Sequence, residues 1–231
     1  LGQTIGGKMP ASLNLVYNTN DVVLNNNIGY GLGYRFSLAQ TIEMVTIDGK
    51  KYLEYVDEDG TIHYFLNQKV KYDENNGYVT TTYENTYYDE DGLDLVIMNN
   101  DNDFTLIDKN KNTMKFIKKN GIGYLSEIKD VSGNTNIITY DNSNKIIKIV
   151  DANNQEININ YENNKTSIIS PDQTVTLNYL NNQVISIVGL LGTTSFSYDS
   201  NHILNSVTDV TGLKKVYQYY NETPYRLKKI S

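Results

Sequence analysis

The chain contains no cysteine, and this absence excludes several classes of protein at once. Without thiols there is no disulfide bond, no cysteine-ligated zinc site and no cysteine nucleophile. Only two histidines occur, His63 and His202, and no Gly-x-Ser-x-Gly motif is present, so nothing predicts a nucleophilic hydrolase. We therefore expect a non-enzymatic protein with no cofactor and no metal.

Long hydrophobic runs and basic clusters are also missing. No stretch approaches the roughly 18 consecutive apolar residues of a membrane-spanning helix, so we predict no membrane insertion. The 231 residues carry 27 acidic and 20 basic side chains, giving a net charge of −7, and the basic ones do not cluster. Nucleic acid is therefore not an expected partner, since nothing in the sequence would oppose a phosphate backbone.

Tryptophan is absent, and the three prolines, Pro10, Pro171 and Pro224, lie at predicted boundaries or turns. The chain has instead 20 tyrosines against five phenylalanines, and about one residue in seven is asparagine, which favours turns. No apolar stripe with helical spacing persists, and β-branched and aromatic residues dominate the apolar positions. These features predict an all-β fold of successive hairpins without helices.

A repeat of about 20 residues runs through the second half of the chain. Each unit has a branched apolar residue, then an aspartate two positions later, then a turn residue and a closing tyrosine. The tyrosines are spaced by 21, 18, 19 and 21 residues: Tyr140, Tyr161, Tyr179, Tyr198 and Tyr219. The other repeat-defining residues are Asp130, Asp151, Asp209, Gly133, Gly192 and Gly212.

A single hairpin is marginally stable in water, so the repeated units must pack against one another. We expect a long, twisted, curved antiparallel sheet in which each tyrosine ring bridges neighbouring hairpins. Residues 121–231 hold about five repeats and are cut within the next one, whereas residues 1–120 form a divergent hairpin region that precedes them. The chain is expected to be a piece of a larger protein and to have exposed sheet edges.

The first half gives weaker signals. Residues 11–17 alternate like a half-buried strand, and the Asn-rich residues 18–27 predict a loop. Glycines alternate with aromatic residues in 28–42, which predicts a strand closely approached by another backbone. Asp59-Gly60 and Asp91-Gly92 predict hairpin tips rather than calcium loops, because no helices flank them. His63 and His202 are expected at ordinary exposed or edge positions.

The second-half units resemble the YD repeats of Rhs (rearrangement hotspot) proteins, whose pattern is Tyr, a spacer, Leu-x-x-Ile, Asp, Gly and the next Tyr. Residues 10–17, 29–38 and 57–65 are similar to the segment that precedes those repeats in wall-associated bacterial Rhs proteins. The resemblance implies a secreted or cell-surface segment of a β-shell that encloses a C-terminal toxin or effector. Its partners would then be neighbouring repeats of the same polypeptide and the enclosed toxin. Related shells occur in Tc toxins and teneurins.

The sequence also departs from that pattern. Gly189 and Pro171 stand where two of the units should have Asp, and no Asp-Pro motif of the family's autocleavage region is present. Two alternatives stay open. A cell-surface module that binds cell-wall carbohydrate would use exposed aromatic side chains. The candidates lie where the repeat is weaker: Tyr72, Tyr78, Tyr83, Tyr87 and Tyr88. A glycosidase would need a carboxylate pair, and nothing singles out two of the 27 acids.

Overall fold

The computed structural model describes residues 2–5, 9–25, 28–223 and 225–231; Pro224, expected at a turn, lies outside them. The described residues form the following elements in chain order: β1 (Gly2–Ile5), β2 (Ala11–Tyr17), α1 (Thr19–Val23), β3 (Tyr34–Phe36), β4 (Thr41–Ile47), β5 (Lys50–Val56), β6 (Ile62–Leu66), β7 (Gln68–Asp73), β8 (Gly77–Thr82), β9 (Thr86–Asp89), β10 (Val96–Asn99), β11 (Asp103–Ile107), β12 (Thr113–Lys119), β13 (Ile122–Lys129), β14 (Thr135–Tyr140), β15 (Ile146–Val150), β16 (Glu156–Glu162), β17 (Lys165–Ile169), β18 (Thr174–Leu180), β19 (Gln183–Gly189), β20 (Gly192–Tyr198), β21 (Leu204–Thr208), β22 (Lys214–Tyr219) and β23 (Leu227–Ile230). The predicted all-β, antiparallel hairpin fold is confirmed.

The prediction that no helix forms is wrong for Thr19–Val23, which we assigned to a loop. The side chain of Asn18 accepts a hydrogen bond from the N–H of Asn20 at 2.9 Å and so caps the first turn. A helix of five residues is too short to produce an apolar stripe in the sequence, which is why periodicity did not reveal it.

One five-residue turn recurs along the chain. The aspartate that opens it donates its N–H to the carbonyl four residues later, and its Oδ1 accepts the N–H of that same residue. The fourth residue always has positive φ, which favours Gly or Asn. The turn opens at these described positions: Asp57, Asp108, Asp130, Asp141, Asp151, Asp199 and Asp209.

Substitution of Gly133 can test how far positive φ limits the residue type in this turn. Its φ is +85°, and a Cβ added there would meet no atom within 4 Å, so no clash would accompany the backbone strain. We expect Gly133→Ala to lower the free energy of unfolding by about 1–2 kcal/mol through backbone strain alone. Gly133→Asn should cost less, because Asn154 holds φ +61° at the matching position of another such turn. Denaturant melts of both variants check this. Equal losses for Ala and Asn would contradict the conformational explanation.

Eight strands close into a ring of hydrogen-bonded neighbours, in the order β4, β5, β6, β9, β10, β11, β12 and β13. The closing contact pairs Gly123 with Ile42 and Tyr124 with Thr41. Gly123 cannot carry a side chain here, because a Cβ would lie 2.6 Å from the Phe104 ring. Phe65 and Phe116, both fully buried, belong to the core that this ring shares with the rest of the chain.

The repeats leave the ring at β13. The first half of this strand pairs with β4, and its second half pairs with β14 through Glu127, Ile128 and Lys129. From β14 to β23 each strand then pairs with the next one in sequence. Our expectation of an open sheet throughout is therefore wrong for the first half, because contacts between β4 and β13 close the ring.

The inner face of the repeat sheet, meaning the face whose side chains are buried, is covered by residues 9–25 and 28–40, which we call the crossing segment. Its strands β2 and β3 pair with each other, and Leu13 and Phe36 are each only 1% exposed. They belong to the same buried core as Ile149 and Leu177 of the repeats. The crossing segment is therefore part of the repeat core.

The prediction of a strand over 28–42 is only partly right. Gly29, Gly31 and Gly33 have φ of +97°, +103° and +79°, which no strand adopts, so extended structure begins at Tyr34. The predicted close approach is present. The N–H of Leu32 donates to the Asn182 carbonyl at 2.7 Å, and a Cβ on Gly31 would lie 3.0 Å from the Val184 side chain.

Candidate functional site

The five repeat tyrosines lie at the last or last but one position of strands of the repeat sheet, and four of them face an irregularity in the next strand. At Tyr140, Tyr179, Tyr198 and Tyr219 the pairing register shifts, so that the following strand carries one extra residue. Such a bulge removes ladder hydrogen bonds and leaves backbone groups in need of other partners. Tyr161 pairs with Thr166 without a shift.

Three of the tyrosine hydroxyls bond backbone carbonyls at such bulges. Tyr140 donates to the Leu125 carbonyl and Tyr161 to the Ile146 carbonyl, both at 2.7 Å. Tyr198 donates to the Val184 carbonyl at 2.5 Å. Each of these three hydroxyls thus reaches back 14 or 15 residues to a carbonyl beside a bulge in an earlier strand pair. We call this series the tyrosine ladder.

The third ladder member bonds differently, since Tyr179 donates to the Thr166 hydroxyl at 3.1 Å. Burial raises the pKa of Tyr140, Tyr161, Tyr179 and Tyr198 above the ordinary value, and that of Tyr219 to about 12. The hydroxyls therefore stay protonated, and able to donate, well above neutral pH.

Three tyrosines of the crossing segment complete this network from the other side. The Tyr30 hydroxyl accepts the N–H of Ile146 at 3.1 Å, and the Tyr17 hydroxyl accepts the N–H of Leu204 at 2.8 Å. Tyr34 lies 2.9 Å from the Tyr198 hydroxyl. Because Tyr198 gives its single proton to a carbonyl, Tyr34 must be the donor in that pair. Sequence reasoning missed these three residues, since their partners lie 116 to 187 positions away.

The predicted aspartates and glycines lie in turns rather than in a common site. Asp130 and Asp209 open the five-residue turns that Gly133 and Gly212 complete at positive φ. Asp151 opens a third turn and is only 2% exposed. Gly192, with φ +129°, instead pairs with Gly189 across a two-residue tip. Within the described ranges, no three His, Cys, Asp or Glu side chains converge as metal ligands.

His63 is not the ordinary edge residue we expected. Its Nε2 lies 3.0 Å from Asp57 and its Nδ1 lies 3.1 Å from Asp91, so the ring joins two hairpin turns. Burial disfavours the imidazolium, but hydrogen bonds and charge from both carboxylates outweigh it and raise the His63 pKa. Asp91 is 28 residues away in sequence, which explains why the pattern did not predict the pair. His202 lies exposed in its turn.

The stabilisation from protonated His63 should depend on pH. Because its folded pKa is raised above the unfolded value of about 6.5, the contribution is fully present below about pH 6.5 and is lost as pH rises through the folded pKa. We expect His63→Asn to destabilise the protein more at pH 5.5 than at pH 9. Thermal melts at both pH values measure this. A constant difference between variant and wild type would show that the charge of His63 does not contribute.

A groove of about 1080 Å³ lies between the ring and the crossing segment. Its lining includes Tyr124 and Tyr140 and two carboxylates that pair across neighbouring strands, Glu43 and Glu54. Burial raises the pKa of Glu54, a hydrogen bond from Tyr64 lowers it, and the charge of Glu43 raises it further, with a net upward shift.

Arg35 and Asp21, which belong to the lining of this groove, form a buried ion pair. The guanidinium Nη2 lies 3.0 Å and its Nε 3.2 Å from Oδ2 of Asp21, and the residues are only 4% and 7% exposed. A Cβ on Gly60 would lie 2.7 Å from Arg35, so the β5–β6 turn packs directly over this pair. Both residues belong to the crossing segment, where the pair joins α1 to β3, and sequence reasoning did not predict it.

No protein-family model matches the chain, and no curated protein matches it. Among solved structures, a porin-like protein from Bacteroides uniformis is similar at 12% identity and a TM-score of 0.38, over 84% of this chain and 93% of the other. The Tc holotoxin pore of Photorhabdus luminescens gives 11% identity, a TM-score of 0.30 and 83% coverage. The TcdB2–TccC3 complex is similar at 10% identity and a TM-score of 0.27, over 95% of this chain. The chain spans only 13% of each of these two toxin chains, and similarity at this level does not assign it to a family. No helix in the described ranges is long and apolar enough to cross a membrane.

Proposed function

We propose that this chain is a non-enzymatic structural segment of a secreted or cell-surface bacterial YD-repeat protein. In that role it contributes wall to a β-shell that encloses a C-terminal toxin or effector for delivery or competition between cells. The observation that carries the proposal is the tyrosine ladder. The hydroxyls of Tyr140, Tyr161 and Tyr198 satisfy backbone carbonyls where the sheet bulges, so that one sequence unit of about 20 residues can be added to the next.

The end of the sheet supports the same role. Strand β23 is exposed along its whole length, and Leu227 and Ile230 are 49% and 53% exposed. Apolar side chains on the last strand are suited to packing against a further hairpin of the same polypeptide. The inner face of β14 to β21 is covered by the crossing segment, so an enclosed cargo would contact other repeats of the shell.

The size and location of the native gene product test the proposal. An antibody against this chain, applied to fractionated producing cells, should detect a secreted or surface product many times larger than 26.2 kDa. Limited proteolysis of that product should leave its C-terminal region intact until the shell is denatured. A product of about this size, or a C-terminal region cleaved as fast as an unfolded control, would contradict the shell role.

The groove favours a second candidate, a carbohydrate-binding module of a wall-associated protein. Tyr124 and Tyr140 offer ring surface beside the carboxylates of Glu43 and Glu54, and sites for polar ligands combine such apolar faces with a few hydrogen-bonding groups. Titration with wall polysaccharides should then shift the NMR signals of the groove residues. Tyr124→Ala should abolish those shifts, whereas Tyr72→Ala, far from the groove lining, should not. Unmoved signals across several polysaccharides would exclude this candidate.

A further inference from the structure

The β7–β8 hairpin lies outside both the ring and the repeat sheet. Strands β6 and β9 pair directly with each other, so residues 67–83 form an excursion between them. The base of the excursion is fixed, because the N–H of Tyr83 donates to the Asn67 carbonyl at 2.7 Å and the Asn67 amide donates back at 3.1 Å. The ammonium of Lys69 lies 4.8 Å from the centre of the Tyr88 ring.

The hairpin exposes an unusual amount of apolar surface for an isolated pair of strands. Tyr72 and Tyr78 pair across it with ring centres 5.4 Å apart, and they are 68% and 80% exposed. Val70 and Val79 are 59% and 41% exposed. Two strands without further partners are marginally stable. A third strand would therefore both cover this surface and stabilise the hairpin.

The two edges of the hairpin differ in how they are protected. Proteins discourage strand addition at an edge with charged side chains, proline or bulges. Strand β7 carries Lys69, Lys71 and Asp73, whereas β8 contains only Gly, Tyr, Val and Thr. The pairing of β7 with β8 has no register shift, and in the described residues β8 pairs with no other strand. Its outer edge is thus an open, uncharged template for an extended chain.

We propose that the outer edge of β8 pairs antiparallel with β8 of a second copy of this chain. A two-fold axis at Thr80 places Tyr78 opposite Thr82 and Val79 opposite Thr81 of the partner strand. The two residues of each facing pair point to the same face of the sheet, and successive pairs alternate between its faces. No like charges meet in this register, since the strand has none. The result is a four-stranded sheet with β7 at both outer edges, where its lysines prevent further addition.

The predicted association is weak and specific to this edge. One six-residue strand on each copy buries far less area than the about 1,200 Å² of a stable interface, so dimers should form only at high concentration. This proposal is independent of the shell role, because it concerns a hairpin that the repeat sheet does not include. The oligomeric state of the chain in solution decides it.

Sedimentation velocity of the full chain from about 5 µM to about 1 mM, a range suited to weak association, tests the proposal. We expect a reversible shift from monomer to dimer, accompanied by slower amide hydrogen exchange in residues 77–82 at high concentration. Thr80→Lys should abolish both effects by placing two lysines opposite each other. The matched control Thr174→Lys, an exposed threonine on a strand with neighbours on both sides, should dimerise like wild type.

A second variant, a deletion of the hairpin, tests the same edge in case the lysine variant misfolds. Residues 68–82 are replaced by Asn-Gly, a two-residue turn that can join Asn67 to Tyr83 because these residues already bond to each other. This variant should still unfold cooperatively and stay monomeric. A chain that is monomeric at every concentration overturns the proposal. Dimerisation that survives both the lysine variant and the deletion also overturns it, since another surface would then be responsible.

Discussion

Replacing Tyr161 by alanine is expected to lower the free energy of unfolding by about 3 kcal/mol or more. The ring packs 6.2 Å from that of Tyr30 and 4.9 Å from the Lys145 ammonium, and its hydroxyl satisfies the Ile146 carbonyl. Alanine removes the packing and the hydrogen bond together. Because Tyr30 accepts the N–H of that same Ile146, the loss also loosens the crossing segment.

Denaturant melts of three variants separate these contributions. Tyr161→Phe keeps the ring and loses only the hydroxyl, so it should cost about 1 kcal/mol. Tyr78→Ala removes a tyrosine that is 80% exposed and should change stability by less than about 0.5 kcal/mol. If Tyr161→Ala cost no more than Tyr78→Ala, the ladder would not stabilise the repeats.

Arg35→Met should be as disruptive, with an expected loss of about 3–5 kcal/mol. The variant removes the guanidinium that holds Asp21 through both Nε and Nη2, and it leaves that carboxylate charged in a buried position. The double variant Arg35→Met, Asp21→Leu removes the charge as well and should recover part of the loss. Urea melts compare the two. A double variant less stable than the single one would show that the carboxylate has other essential contacts.

The turns and strand ends of the second half could be predicted from sequence because their signals are local. Asp130 and Gly133 specify a turn within four residues, and the closing tyrosines mark where each strand ends. The hairpin of β11 and β12 follows the same rule, since its turn lies within residues 108–112 and Phe104 pairs directly with Phe116. In each of these cases the interacting residues are close in sequence, so composition and spacing carry the information.

The remaining features depend on contacts between distant residues, which leave no local pattern. The ring closes where Gly123 meets Ile42, and nothing around either residue identifies the other. Asp21 lies in the predicted loop and Arg35 in the predicted strand over 28–42, and nothing in the sequence paired the two charges. The glycines from Gly29 to Gly33 did signal a close approach, but their positive φ values depend on the surface they cross. Sequence periodicity predicts the hairpins, whereas only the structure shows how one half of the chain packs on the other.

The position of the crossing segment has a consequence for the order of folding. Hairpins of the repeat sheet join neighbours in sequence and can form within about 1–10 µs. The bonds of Tyr17 and Tyr30 instead close loops of 187 and 116 residues, and such long-range contacts are slow to form. During synthesis the crossing segment leaves the ribosome before the ring strands and before the repeat strands that it covers. Its apolar side chains must therefore wait for nearly the whole chain, and this stretch is where a nascent chain would most need a chaperone.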